Sequence, residues 1–177
     1  MRARTGIVNI LLGERGVEEA ALHNDVVVVV DVLRAASTII TALDNGAISI
    51  IPTLSIRQAR EIARRTPDSV LAGERKAFRI QGFLLGNSPL EYTPENVRGS
   101  NVVLTTTNCT RILERCRKTS TCSNVLVGAF LNATSVSEAA WRLGKELKSG
   151  ISIIQAGVSG NPSQDDLTCA ELIKTTI

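Results

Sequence analysis

Five consecutive valines, Val26–Val30, followed at once by Asp31, constrain this chain more than any other stretch. β-Branched residues favour extended backbone, and an apolar run without alternation suits a strand covered on both faces. Such a strand belongs to a parallel sheet with helices on either side. Asp31 then puts a carboxylate at the carboxyl end of the strand, with Arg34 three residues on. Open α/β sheets bind their ligands beside those strand ends. A carboxylate there must be paired, bind a metal or face a crevice. The plain structural alternative is an Asp31–Arg34 pair that does no more than cap the following helix.

The rest of the chain repeats the alternation. Short apolar runs at 6–12, 47–51, 69–72, 101–104, 124–127 and 151–155 read as strands. Helical patterns fall at 13–22, 37–43, 56–65, 110–117, from Asn132 or Thr134 to Lys148, and from Leu167 onward. Thr53 or Ser55 can cap the third of these. This order predicts an α/β fold, three-layer α/β/α with a largely parallel central sheet, as a single domain over residues 1–177. Segment 73–92 breaks the pattern. It holds three glycines, one proline and three of the five aromatics, Phe78, Phe83 and Tyr92, which suits an ordered functional loop.

Composition excludes several function classes. A net charge of +3 with scattered basic residues, and 3% aromatics, argue against a nucleic-acid surface. No apolar run approaches the roughly 20 residues of a membrane helix, and the basic N-terminus does not continue into a signal peptide. A cytoplasmic location is expected. Cys109, Cys116, Cys122 and Cys169 contain no C-x-x-C pair, so reduced thiols are expected rather than a zinc site. His23 is the one histidine, set in a turn, so a histidine-based triad is not expected.

In a parallel sheet the polar residues just past each strand converge. Here they are Asp31 and Arg34, Glu74 and Arg75, Thr105 to Asn108, Asn132, and Asp165 with Asp166. Arginine forks and helix-start amides suit a multi-oxygen anion, and clustered carboxylates suit Mg²⁺. The combination points to metal-assisted chemistry on a small anionic phosphorylated substrate. The structural alternatives are a capping run for TTTN and a solvated acid pair at a helix start for Asp165-Asp166.

Four blocks, VDVLRAAST at 30–38, AGER at 72–75, GFLLGNSP at 82–89 and LTTTNCTR at 104–111, resemble signature blocks of the 2-phosphosulfolactate phosphatases. FLNA at 130–133 and the AG…DD region at 156–166 resemble later ones, in the family's order. The resemblance implies a three-layer α/β fold peculiar to that family and a Mg²⁺-dependent phosphatase. The implied reaction converts 2-phosphosulfolactate to sulfolactate and phosphate, on the route to coenzyme M. On that reading Mg²⁺ sits among Asp31, Glu74 and Asp166, with Asp31 as metal ligand or as nucleophile. Arg34 and Arg75 neutralise the phosphate; Thr106, Thr107 and Asn108 donate hydrogen bonds to its oxygens. Asn87 and Ser88 close the site, and Asn132 adds a further contact.

Three departures from the family pattern stand out. Cys109 occupies the position of a usual glycine, Leu84 that of a usual acid, and the chain ends at Ile177 where relatives typically continue, as a C-terminal truncation would leave it. Missing C-terminal elements would favour a homo-oligomer by leaving an edge uncovered. Two rivals compete with the main reading. A haloacid-dehalogenase-type phosphatase would need a second Asp two residues after the first, where this chain has Leu33. A non-catalytic anion-binding member of the same fold would fit Cys109 and the early end.

Overall fold

The computed structural model describes residues 5–119 and 124–177. In it a parallel central sheet flanked by helices is joined by a second four-stranded sheet. The first runs in the order β1 (Val8–Leu12), β8 (Ile151–Gln155), β2 (Val26–Val30) and β7 (Val125–Gly128), every neighbour parallel. The second runs β3 (Ser49–Pro52), β6 (Asn101–Thr105), β4 (Ser69–Arg75) and β5 (Phe78–Arg79). Its first three strands are parallel, and β5 returns antiparallel on β4 as a hairpin.

The valine run forms the fully buried strand expected, and its two faces serve different layers. Val26, Val28 and Val30 pack with Ile151 and Ile153 against Val136 and Ala140 of α6 (Ala133–Leu147) and Ala170 and Ile173 of α7 (Gln164–Thr176). Val27 and Val29 pack the other way, with Val17 of α1 (Gly13–His23), Ile39 of α2 (Ala35–Asp44) and Ile112 of α5 (Cys109–Lys118). The parallel sheet is thus the middle of an α/β/α sandwich.

The same cluster continues into the second sheet through Ala72, Val102 and Leu104, so α2 and α5 lie between the two sheets. Val103 points to the far face and packs with Ala59 of α3 (Ile56–Arg65). The inner strands β2, β8 and β6 are buried on both faces in either sheet, which is why a single sheet looks adequate from sequence alone. The fourth helix, α4 (Pro94–Val97), is one turn.

The irregular segment is ordered by its aromatics. Tyr92 is fully buried and donates its hydroxyl to the Gly86 carbonyl at 2.8 Å. Phe83 packs with α3, whereas Phe78 at the start of β5 is 79% exposed. The hairpin is the element the sequence pattern did not reveal. Its two-residue turn, Lys76-Ala77, has positive φ at both positions without a glycine to signal it.

Candidate active site

The strand ends of both sheets are tied together by acids accepting backbone N–H groups. Asp166, in the first turn of α7, accepts from Val32 N at 2.8 Å and from Gly157 N at 3.0 Å. Asp165 accepts from Leu33 N at 3.1 Å. The acid pair thereby staples the loop after β8 to the loop after β2. Asp31 accepts from Ala35 N at 3.0 Å, at the start of α2. Burial pushes the Asp31 carboxyl up to about 6, and the charges of Asp166 and Asp165 add to the rise. Burial also raises Asp166, against the lowering effect of its two backbone amides.

A second clasp joins the hairpin to this end of the molecule. Glu74 accepts from Thr107 N at 2.7 Å through one oxygen and from Ala77 N at 2.8 Å through the other. Arg34 donates to the Ala77 carbonyl at 3.1 Å. The turn residue Ala77 is thus held by Glu74 at its N–H and by Arg34 at its carbonyl. Arg75 donates to Thr105 Oγ1 at 2.8 Å and to the carbonyls of Glu74 and Thr105. Gly73 makes this closeness possible: a Cβ there would overlap the Thr105 carbonyl, and its φ is +140°.

The turn from β6 into α5 borders a cavity of about 320 Å³, opposite Gly13 and Glu14 of α1 and Ser159 and Gly160 of the loop after β8. Thr107, Asn108 and Arg111 line its α5 side. Thr106 faces inward instead. Its hydroxyl oxygen accepts from Thr110 N at 3.2 Å, and the Thr110 hydroxyl donates to the Thr106 carbonyl at 3.0 Å. Cys109 is fully buried, and burial together with the charges of Asp31 and Asp166 pushes its thiol well up.

The model of the family described as 2-phosphosulpholactate phosphatase matches residues 12–177. The chain belongs to the 2-phosphosulfolactate phosphatase family. It is 40% identical to a probable 2-phosphosulfolactate phosphatase of Clostridium beijerinckii, over 94% of this chain and 68% of the relative. It is 37% and 35% identical to proteins of the same name from Clostridium novyi and Clostridium acetobutylicum, with the same coverage. Phosphatases of this name are phosphoric monoester hydrolases.

Against that family's expected site, the residues fall into three groups. Arg34 and Glu74 meet on Ala77, Arg75 turns to the Glu74 and Thr105 oxygens, and Asp31 accepts from Ala35 N at the start of α2. Thr107 and Asn108 line the cavity, while the Thr106 hydroxyl is taken up by α5. Asn132 caps its own 3-10 turn: its side chain accepts from Ala129 N at 2.9 Å and donates to the Val127 carbonyl at 3.0 Å. Ser88 opens the 3-10 turn 89–91, and its carbonyl accepts from Glu91 N at 3.0 Å. Asn87 is buried; its backbone carbonyl accepts from Thr38, and its side-chain oxygen has no hydrogen-bond partner among the described residues.

The trio Asp31, Glu74 and Asp166 does not come together as a metal-ligand group. Among the described residues no three or more His, Cys, Asp or Glu side chains could hold an ion in common. Glu74 and Asp166 each turn both oxygens to backbone amides of separate loops. Asp31, which accepts from Ala35 N, is the buried carboxylate of the three best suited to a hard cation. The glycine departure is benign locally, since Cys109 sits in α5 without positive φ. Leu84 is exposed, and Cys122 lies outside the described residues. Sequence reading missed Arg111 and Glu14. Both lie in the first turn after a strand, the signal that could have found them.

Proposed function

We propose that this protein is a Mg²⁺-dependent phosphatase of a small anionic phosphate monoester, 2-phosphosulfolactate, releasing sulfolactate and phosphate. The observation that carries the reading is Asp31. It is a buried carboxylate with a raised pKa, at the end of the central strand, in a family of phosphatases. The names of the Clostridium relatives support the substrate.

Mg²⁺ binds characteristically through one or two carboxylates together with substrate phosphate oxygens and waters. Asp31 fits that set as the one carboxylate, because burial and two neighbouring acids favour a cation beside it. When bound, the ion supplies charge neutralisation to the phosphate and its leaving oxygen.

The remaining work is positioning and electrostatics, which phosphoryl transfer requires more than acid–base strength. Arg34 has one bond to the hairpin and presents its other N–H groups to the anion. Glu74 and the Asp165–Asp166 pair hold the loops in register and stay off the phosphate. Thr107 and Asn108 offer hydrogen bonds from the start of α5.

The test is phosphate release from 2-phosphosulfolactate and a panel of phosphorylated hydroxy acids, with and without Mg²⁺. Release from the sulfonated substrate that needs Mg²⁺ is expected, and Asp31→Asn should abolish it while circular dichroism stays native. Undiminished turnover in that variant, or release indifferent to Mg²⁺, overturns the reading.

A further inference from the structure

We infer that Arg111, paired with Glu14, forms a second anion subsite for the sulfonate or carboxylate of the substrate. The inference rests on the phosphatase reading above and extends it to specificity.

Helices α1 and α5 are joined by two parallel ion pairs, Glu14–Arg111 at 2.9 Å and Glu18–Arg115. The residues stand four apart on each helix, so the pairs form two rungs of one ladder. Of these four residues, only Glu14 and Arg111 line the 320 Å³ cavity, and among the described residues they are its only charged lining residues. The same cavity is bordered by Thr107 and Asn108. A substrate whose phosphate reaches the start of α5 therefore extends toward Arg111.

Charge supply favours the same assignment. A phosphorylated sulfonated hydroxy acid carries three anionic groups. Arg75 is committed to the oxygens of Glu74 and Thr105, and Arg34 stands on the hairpin side. Arg111 is the cation that faces the cavity. Its partner holds it weakly: both side chains are substantially exposed, 63% for Arg111 and 45% for Glu14, and exposed pairs are worth little. A sulfonate or carboxylate offers the planar guanidinium two oxygens and can take Glu14's place. An ester with no second acid group gains nothing from Arg111 and meets the Glu14 charge. Glu14 is thus an internal competitor that favours substrates of high negative charge. The Glu18–Arg115 rung, off the cavity, serves helix packing and provides the internal control.

The experiment compares the full chain with Glu14→Gln, Arg111→Gln and Glu18→Gln. Binding of unphosphorylated sulfolactate and of inorganic phosphate is measured by calorimetry, and KM and kcat are measured separately. Arg111→Gln should weaken sulfolactate binding by about tenfold or more while phosphate binding stays within about twofold. Glu14→Gln should tighten sulfolactate binding by several-fold, on the order of the lost competition. Glu18→Gln should bind like the parent. In turnover, Arg111→Gln should raise KM with kcat little changed. The inference fails if the parent does not bind sulfolactate, if Arg111→Gln binds it as the parent does, or if Glu18→Gln matches Arg111→Gln. Arg111-dependent binding without any turnover by the parent would keep the subsite and sink the phosphatase reading.

Discussion

Asp31 is enclosed at the end of β2, and the cost of ionising it there sets its behaviour. Its pKa rises from 3.8 to about 6, so the folded state binds this proton more tightly than the unfolded chain does. The sign follows: stability from this group is greatest at low pH and falls as pH climbs from about 4 through 6. Above that range the penalty is of order 3 kcal/mol. Asp31→Asn should therefore raise the melting temperature at pH 8 and change it little at pH 4, in thermal scans across pH. Millimolar Mg²⁺ should stabilise the parent at pH 8 and leave Asp31→Asn unaffected. Cys109 makes the contrasting case. A cysteine in place of the family glycine raised the prospect of strain, yet here it is helical and fully buried. Cys109→Gly should lose about 1–2 kcal/mol in denaturant unfolding, from lost burial and greater chain entropy, with no gain in turnover.

The hairpin of β4 and β5 is the element that most depends on single contacts. Glu74 spans it, with one oxygen on the turn at Ala77 and the other on Thr107 at the start of α5. Glu74→Gln keeps one acceptor and sets an amide NH₂ against the second N–H. It should cost about 1–3 kcal/mol and speed hydrogen exchange at Ala77 and Thr107 ahead of the sheet interior. Gly73→Ala should be worse, because a Cβ would meet the Thr105 carbonyl in the neighbouring strand and φ would be unfavourable. A loss of more than about 2 kcal/mol is expected in the same unfolding assay. No amphipathic pattern announces this hairpin, since β5 has two residues and its turn lacks the usual glycine. It was read as irregular because its order comes from Tyr92, Phe83 and Glu74, whose partners are distant in sequence.

Across the whole molecule, one apolar cluster joins the two sheets through α2 and α5, with Leu104 fully buried on the β6 side. Leu104→Ala should lower stability by about 2–5 kcal/mol in denaturant titration and weaken both sheets in one cooperative transition. No helix among the described residues is long and apolar enough to cross a membrane.

Features that depend on neighbours along the chain are legible without the fold. The valine strand, the six other longer strands, the helices that follow them and the placement of Asp31, Arg34 and Glu74 at strand ends all follow from periodicity and local preference. The division into two sheets came only from tertiary structure, since a strand buried on both faces looks the same in either. Tertiary structure also decided which acids are spent on amides. Glu74 and Asp166 look like ligands in the sequence, but their oxygens close on N–H groups contributed by other loops. Whether a carboxylate faces a cation or a backbone amide depends on which loops meet it, and only the folded chain brings those loops together.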